Sequence, residues 1–285
     1  MILGFGTGSL YKLVDPASKE VIEVIKKTGS TAIELCGVLK KRFDESEEHN
    51  FFNFDSEDFE GFEYVSLHAP VDTTYNNDFE TKRLLDTIDG LCKRLHITLV
   101  VFHPNNVKDF SVFDGYDFPI AFENMDLRKG TMLQPEEFKE IFSNPRYGFV
   151  LDVTHAYTND QTGGLARELI NHYRPKIKQI HCSGYFVHGE DEQQHFPAHL
   201  ESKYWGREEN LPHHTILSDV IEEFPIIIES VLPDDIEEKL NPLTKEFAFI
   251  RNYILDKKES EGACGTNTSI SRIIAIINRV LSCYY

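Results

Sequence analysis

The sequence has no long uncharged apolar run, and it therefore predicts no transmembrane helix. It starts with Ile2-Leu3-Gly4-Phe5-Gly6, where a secretory signal would have a basic segment and a longer apolar stretch. Its five cysteines are scattered and include no Cys-x-x-Cys pair, which counts against a disulfide framework. These absences predict a cytoplasmic protein that does not span a membrane.

Basic residues are few, since 29 lysines and arginines are set against 47 acidic residues and the net charge is −18. This balance favours a small-molecule substrate and counts against broad contact with nucleic-acid phosphates. It does not exclude nucleic acid, because a local basic patch or bound metal cations can dominate the field at a site. A complete nucleotide-binding loop is also lacking, because Gly6-Thr7-Gly8-Ser9 does not have the full spacing. The sequence does not specify an oligomeric state.

What the sequence does have is a recurring pattern in which an apolar run ends in a histidine or a carboxylate. The residues at these ends are Glu34, His68, His103, Glu123, Asp152, His181 and Glu229. A charged group at the end of a buried strand is costly unless it is paired, hydrogen-bonded or bound to a metal. Asp152 followed by His155 is weak on its own, since a helix-capping aspartate before a loop histidine gives the same spacing. The repetition along the chain favours a functional site.

The order of these runs predicts the fold class. Eight strand-like runs occur, and most are followed by a helical pattern such as the one over about 78–95. Strand–helix alternation implies a parallel sheet, and eight units imply a single (β/α)8 TIM barrel of the α/β class, over residues 1–255. Residues 256–285 break the pattern and form a C-terminal extension whose role the sequence leaves open. In such barrels the catalytic groups lie at the carboxyl ends of the strands.

Turn and cap residues predict further local features. Asp15-Pro16 is expected to open the first helix, and Asn241-Pro242 the last. Pro212 is expected to open the helix before the last strand. The segment 183–211 is long, polar and rich in histidine and acidic residues, which predicts a functional loop.

A barrel would bring the ends of its fifth to eighth strands into one arc. The side chains on that arc are Glu123, Asp152, His181 and Glu229, and four such ligands can surround one divalent ion. Carboxylates combined with imidazole suit Zn, Mn, Fe or Co better than Ca or Mg alone. Further ions, up to three per chain in all, would use His68, His103, His155 and His195. The alternative is a buried hydrogen-bonded polar network without a metal.

Six short motifs resemble those of one superfamily. They are Leu67-His68-Ala69-Pro70, Phe102-His103-Pro104, Phe122-Glu123-Asn124-Met125, Leu151-Asp152-Val153-Thr154-His155-Ala156, Ile180-His181-Cys182-Ser183 and Ile228-Glu229. Over roughly residues 1–255 the chain resembles the xylose isomerase-like barrels, which include sugar phosphate isomerases and epimerases and endonuclease IV. The motifs are specific for this superfamily but do not name a substrate.

The resemblance implies different ligand sets in the two branches. In the epimerase branch, the single-metal set matches Glu123, Asp152, His181 and Glu229, and the two glutamates also move protons. In the endonuclease IV branch, that set holds one zinc ion, and His68, His103 and Glu123 hold another. A third ion there uses a histidine matching His155 and an Asp-x-His pair. This chain has His195 in that pair, but Gln193 replaces the acid and the following Leu-Gly-Glu-Gly is absent.

The leading hypothesis is a divalent-metal isomerase or epimerase that acts on a sugar, a sugar phosphate or a related polyol. Glu123 and Glu229 would transfer protons, and Glu34, Tyr185 and His188 are predicted to contact the substrate. The first alternative is a zinc-dependent phosphodiester hydrolase of the endonuclease IV, or AP endonuclease, type. The second alternative is a metal-bound barrel without catalytic activity.

Overall fold

The computed structural model describes residues 1–188, 191–199, 216–217, 223–232 and 240–262. Eight parallel strands close into a barrel, as the sequence predicts. In barrel order these strands are β1 (Leu3–Gly6), β2 (Ala32–Cys36), β3 (Tyr64–His68), β4 (Leu99–Phe102), β5 (Ile120–Glu123), β6 (Tyr147–Asp152), β7 (Ile177–Cys182) and β10 (Ile226–Ile228). The barrel closes where β10 pairs with β1, with Leu3 opposite Ile226.

Helices and short 3-10 turns connect the strands. In the described residues the α-helices are α1 (Lys19–Lys26), α2 (Phe79–Leu95), α3 (Lys139–Ser143), α4 (Val153–Asn159), α5 (Gly164–Tyr173) and α6 (Leu240–Gly262). The apolar stripe of α2 is buried, and Asp78 caps this helix by accepting a hydrogen bond from Thr81 N. Within the described part of the chain, no helix combines the length and the apolar character that crossing a membrane requires.

Alternation along the strands decides which side chains enter the barrel. The apolar floor of the interior consists of Leu99, Val101, Ala121 and Val150, with Tyr64 packed beside it. The residues between them, such as Phe149 and Leu151, pack in the main core outside the barrel. Two positions beyond Val150 the same face carries Asp152, so that the apolar floor is followed by a polar layer at the carboxyl ends.

Two of the local predictions are wrong. The first helix begins at Lys19 after Ser18, because the Asp15 carboxylate has other partners. Its Oδ1 accepts hydrogen bonds from Ala17 N at 2.8 Å and from the Arg42 guanidinium at 2.5 Å. The segment predicted as a long loop begins with an antiparallel hairpin of β8 (Gly184–His188) and β9 (Asp191–Phe196).

The last helix, α6, begins next to the predicted Asn241-Pro242 start and continues to Gly262. It therefore extends past residue 255, where the sequence analysis ends the barrel domain. The division into residues 1–255 and 256–285 stays a prediction. The predicted helix start at Pro212 lies outside the described residues.

Candidate metal centre

Two groups of side chains at the carboxyl ends of the barrel strands have the composition of metal sites. The acidic group is Glu123, Asp152, His181 and Glu229, and the histidine group is His68, His103 and Glu123. Within each group the candidate ligand atoms all lie within 4.8 Å of one another. The structure thus brings together six predicted residues from six different parts of the chain, and Glu123 is shared by both groups.

Glu123 directs one carboxylate oxygen towards each group. Oε2 lies 3.3 Å from His68 Nε2 and 3.3 Å from His103 Nε2. Oε1 lies 3.3 Å from His181 Nδ1 and 3.2 Å from His155 Nδ1. Burial raises the pKa of this carboxyl, but the charge of His181 and the surrounding imidazole hydrogen bonds outweigh it and hold the pKa well below its usual range. Glu123 therefore has the position of a carboxylate that can bridge two ions.

Asp152 both caps a helix and presents an unused oxygen. Its Oδ1 accepts hydrogen bonds from Thr154 N at 2.7 Å and His155 N at 2.8 Å, at the start of α4. Its Oδ2 is buried and has no hydrogen-bond partner, with His155 Nδ1 3.5 Å away. Burial raises the pKa of Asp152 to about 6. A buried carboxylate oxygen without a donor is costly, and a cation at this point would remove that cost.

His181 connects the remaining members of the acidic group. Its Nδ1 lies 3.3 Å from Glu123 Oε1 and 3.4 Å from Glu229 Oε1. Burial raises the pKa of the Glu229 carboxyl to about 7. Two carboxylates on β5 and after β10 therefore converge on one imidazole nitrogen, and this convergence fits a divalent ion.

The two histidines of the histidine group have different environments. His68 Nδ1 lies 2.9 Å from Ala69 O, so that Nδ1 carries the proton and Nε2 is left facing Glu123. Burial lowers the pKa of His68, but Glu123 raises it more, to about 9. The pKa of His103 falls to about 4 because burial dominates, and its Nδ1 has no partner. Neutral imidazole is the form that binds a metal.

His155 and His195 lie together but in neither group, with ring centroids 5.6 Å apart. His155 Nδ1 lies 2.9 Å from Asn124 O and therefore donates, which excludes this nitrogen as a ligand while that bond is made. His195 adopts a left-handed φ of 60°, and its Nδ1 lies 3.6 Å from Glu229 Oε2. Burial lowers the pKa of His195 to about 3. The side chain of Gln193 lies outside the described residues, and a third metal site stays a prediction.

The three residues predicted to contact a substrate lie in different environments. Glu34 is only 1% exposed and is hydrogen-bonded inside the barrel, which argues against a direct substrate contact. Tyr185 is half-buried, and its ring packs edge-on against Tyr157 at 5.5 Å. His188 belongs to β8, but its side chain lies outside the described residues.

Sequence reasoning missed the polar residues that support the two groups. Asn124 donates to Asp152 O at 2.9 Å and accepts from Asp152 N at 2.8 Å, and this pair of hydrogen bonds holds the end of β6 against β5. Ser66 and Gln179 lie fully buried on β3 and β7. Their positions, two residues before His68 and His181, were the available signal, because strand residues two apart share a face.

Glu246 on α6 ties the last helix to the rim of the barrel. Its Oε1 accepts hydrogen bonds from Ala198 N at 2.8 Å and Ser230 Oγ at 2.6 Å. Its Oε2 accepts from His199 N at 3.0 Å and lies 2.6 Å from His199 Nδ1. This buried carboxylate fixes the segment after β9 and the residue that follows Glu229.

Replacing Glu246 by alanine is expected to lower the free energy of unfolding by about 3 kcal/mol, because buried donors would lose their acceptor. Chemical denaturation of the metal-free chain measures this loss. The control is Lys245→Ala, which removes the neighbouring exposed side chain of the same helix. Equal stabilities of the two variants would contradict the role given to Glu246.

No family model matches the chain, and no curated protein matches it. Solved structures do match. The chain is similar to D-psicose 3-epimerase with D-tagatose from Clostridium cellulolyticum H10, with 10% identity, a TM-score of 0.61 and coverage of 90% of this chain and 99% of that chain. It is similar to endonuclease IV from Thermus thermophilus, with 14% identity, a TM-score of 0.61 and coverage of 90% of this chain and 100% of that chain.

A third similar structure is a sugar phosphate isomerase/epimerase from Parabacteroides distasonis ATCC 8503, with 14% identity and a TM-score of 0.53. That alignment covers 88% of this chain and 94% of the other. These identities are too low to carry over an activity, but the match spans nearly the whole length of each structure. The closed barrel and these matches agree with the resemblance seen in the motifs, and the chain has the fold of the xylose isomerase-like (β/α)8 barrels.

Proposed function

We propose that the chain is a divalent-metal isomerase or epimerase of a sugar, a sugar phosphate or a related polyol. The observation that carries this proposal is the placement of two carboxylates around one point at the barrel mouth. Glu123 and Glu229 approach the same His181 nitrogen from β5 and from the end of β10, which are separated by β6 and β7 in the barrel. This placement suits proton transfer on two sides of a small substrate.

The acidic group would hold the ion through Glu123, Asp152, His181 and Glu229. The unpaired Asp152 Oδ2 and the mixture of carboxylate and imidazole fit Zn, Mn, Fe or Co. When bound, such an ion polarises a substrate carbonyl and acidifies the neighbouring C–H.

The protein's own residues then have separate tasks. Glu229 is the more exposed of the two glutamates, with 19% of its side chain accessible, and it would take the proton from carbon. Glu123 is 1% exposed and would remain a ligand or return the proton on the opposite side. His155 Nδ1 donates to Asn124 O and lies 3.2 Å from Glu123 Oε1, so that this imidazole lines the site beside that carboxylate. A small sugar-like partner and a cytoplasmic location are part of this proposal.

Solvent exchange tests the proposal directly. The chain loaded with Mn²⁺, Co²⁺ or Zn²⁺ is incubated in ²H₂O with ketohexoses, such as D-fructose and D-tagatose, and with phosphorylated sugars. We expect deuterium at the carbon next to the carbonyl together with a new sugar isomer, both detected by NMR. Metal-loaded protein that exchanges no substrate proton in this panel would count against the isomerase and favour the non-catalytic barrel.

The second candidate is a phosphodiester hydrolase, and one observation favours it. Glu123 directs Oε2 to the histidine group and Oε1 to the acidic group, as a carboxylate shared by two ions would. Paired ions suit the displacement of a phosphate oxygen. Cleavage of a DNA duplex containing an abasic site, without any sugar isomerisation, would establish this function in place of the first. The net charge of −18 weighs against it.

A further inference from the structure

The barrel interior contains a buried carboxylate that belongs to neither metal group. Glu34 on β2 is 1% exposed, and its Oε2 accepts hydrogen bonds from Ser66 Oγ at 2.9 Å and Gln179 Nε2 at 2.6 Å. Both of its oxygens lie 3.3 Å from His181 Nε2. The other ring nitrogen, Nδ1, is the one that faces Glu123 and Glu229. Glu34 thus contacts the nitrogen of His181 that faces away from Glu123 and Glu229.

We propose that Glu34 is a positioning residue that sets the tautomer and the ring orientation of His181, so that Nδ1 is free to bind a metal. This inference rests on the proposed metal site. An imidazole that binds a metal through one nitrogen carries its proton on the other. A carboxylate that accepts this proton fixes the ring and makes the ligand nitrogen more basic. In the opposite tautomer, the Nε2 lone pair would face the Glu34 carboxylate, which is repulsive.

A competing contact comes from Gln179. Its amide nitrogen lies 2.5 Å from His181 Nε2, and as a donor it would favour the opposite tautomer. The carboxylate outweighs the amide, because a hydrogen bond to an ionised acceptor is about twice as strong as a neutral one. Gln179 also donates to Glu34 itself, and Ser66 donates from β3. Both donate to the same oxygen, Oε2, so that Gln179 still holds the carboxylate when the Ser66 hydroxyl is removed.

The cost of burying Glu34 supports a functional role. An ionised carboxylate removed from water costs several kcal/mol, and well-packed apolar residues often replace such groups without loss of stability. The apolar floor formed by Leu99, Val101, Ala121 and Val150 shows that this interior accepts apolar side chains. A carboxylate buried in this interior, in contact with a candidate ligand, is explained by what it does to His181.

Metal affinity tests this inference without any assay of turnover. Metal-free wild type, Glu34→Gln, Glu34→Ala and Ser66→Ala are titrated with Zn²⁺ against a chromophoric chelator, and the visible spectrum of Co²⁺ is recorded for each. We expect Zn²⁺ affinity to fall about 10–100-fold in both Glu34 variants, with a changed Co²⁺ spectrum. Ser66→Ala removes one anchor of Glu34 but keeps the contact with His181, and its affinity should stay within about threefold of wild type.

Glu34→Gln keeps the size of the side chain, and it provides the test even where Glu34→Ala does not fold. Wild-type affinity and an unchanged Co²⁺ spectrum in Glu34→Gln would overturn the inference and leave the proposed function standing. An equal loss in Ser66→Ala would also overturn it, since the effect would then come from general packing. A wild-type chain that binds neither ion would overturn the proposed function and this inference together.

Discussion

Replacing Glu123 by glutamine is expected to strip metal from both groups and to lower turnover about 10³-fold. Glu123 belongs to the acidic group and to the histidine group, and its two oxygens face different imidazoles. An amide of the same shape keeps one neutral oxygen but loses the charge, and its NH₂ would point at one of the two groups. Either orientation of the amide therefore damages at least one site, and the change removes the only carboxylate of the histidine group and one of the three carboxylates of the acidic group.

Metal analysis and turnover of the same preparations measure this effect. We expect wild type loaded with Zn²⁺ to retain at least one ion after gel filtration, and Glu123→Gln to retain none. Glu137→Gln is the matched control, because Glu137 is an exposed glutamate that belongs to neither metal group and accepts hydrogen bonds from Met132 N and Leu133 N. Full metal content in Glu123→Gln would refute its place at the centre of the site.

The position of most site residues follows from the sequence because it depends on a local rule. In a parallel barrel every strand points the same way, so a polar residue at the end of each apolar run must reach the same end of the barrel. This rule alone predicts that His68, His103 and Glu123 lie close together. Their distances could not be obtained from it, because side-chain rotamers depend on neighbouring strands.

The double role of Asp152 shows where sequence reasoning became ambiguous. The spacing from Asp152 to His155 fits a helix cap and also fits a metal ligand, and in the sequence these are two alternative interpretations. In the structure Oδ1 caps α4 while Oδ2 has no hydrogen-bond donor, so that the side chain fits both descriptions at once. A carboxylate has two oxygens, and sequence spacing does not show that one caps the helix while the other is free to bind a metal.

The sequence assigns Glu34 to substrate contact, and it does not predict the contact with His181 because that partner is distant along the chain. Glu34 contacts His181, 147 residues away, across the interior rather than through a neighbouring strand. The hairpin of β8 and β9 was missed for a different reason. Its second strand has the sequence Asp-Glu-Gln-Gln-His-Phe, whose polar residues hide any alternation of apolar side chains.

Glu229→Gln is expected to lower turnover about 10³-fold while leaving the histidine group able to hold an ion. Glu229 belongs only to the acidic group, so His68, His103 and Glu123 keep their mutual geometry.

The Glu229→Gln change should leave the fold intact. Burial raises the pKa of Glu229 to about 7, which means that the folded chain resists ionising it. Between the usual carboxyl pKa and 7, the wild type therefore loses stability as the pH rises, and a neutral glutamine avoids this loss.

Two measurements separate this expectation from simple unfolding. The metal-free variant should have a melting temperature at pH 8 that is no lower than that of wild type, because it removes a charge that burial disfavours. Zn²⁺ content should be lower than in wild type but should not fall to zero, in contrast to Glu123→Gln. If Glu229→Gln keeps both its ions and its turnover, the acidic group is not the catalytic site. If it keeps sugar isomerisation at the wild-type rate, proton transfer does not depend on Glu229 and the role given to this residue is wrong.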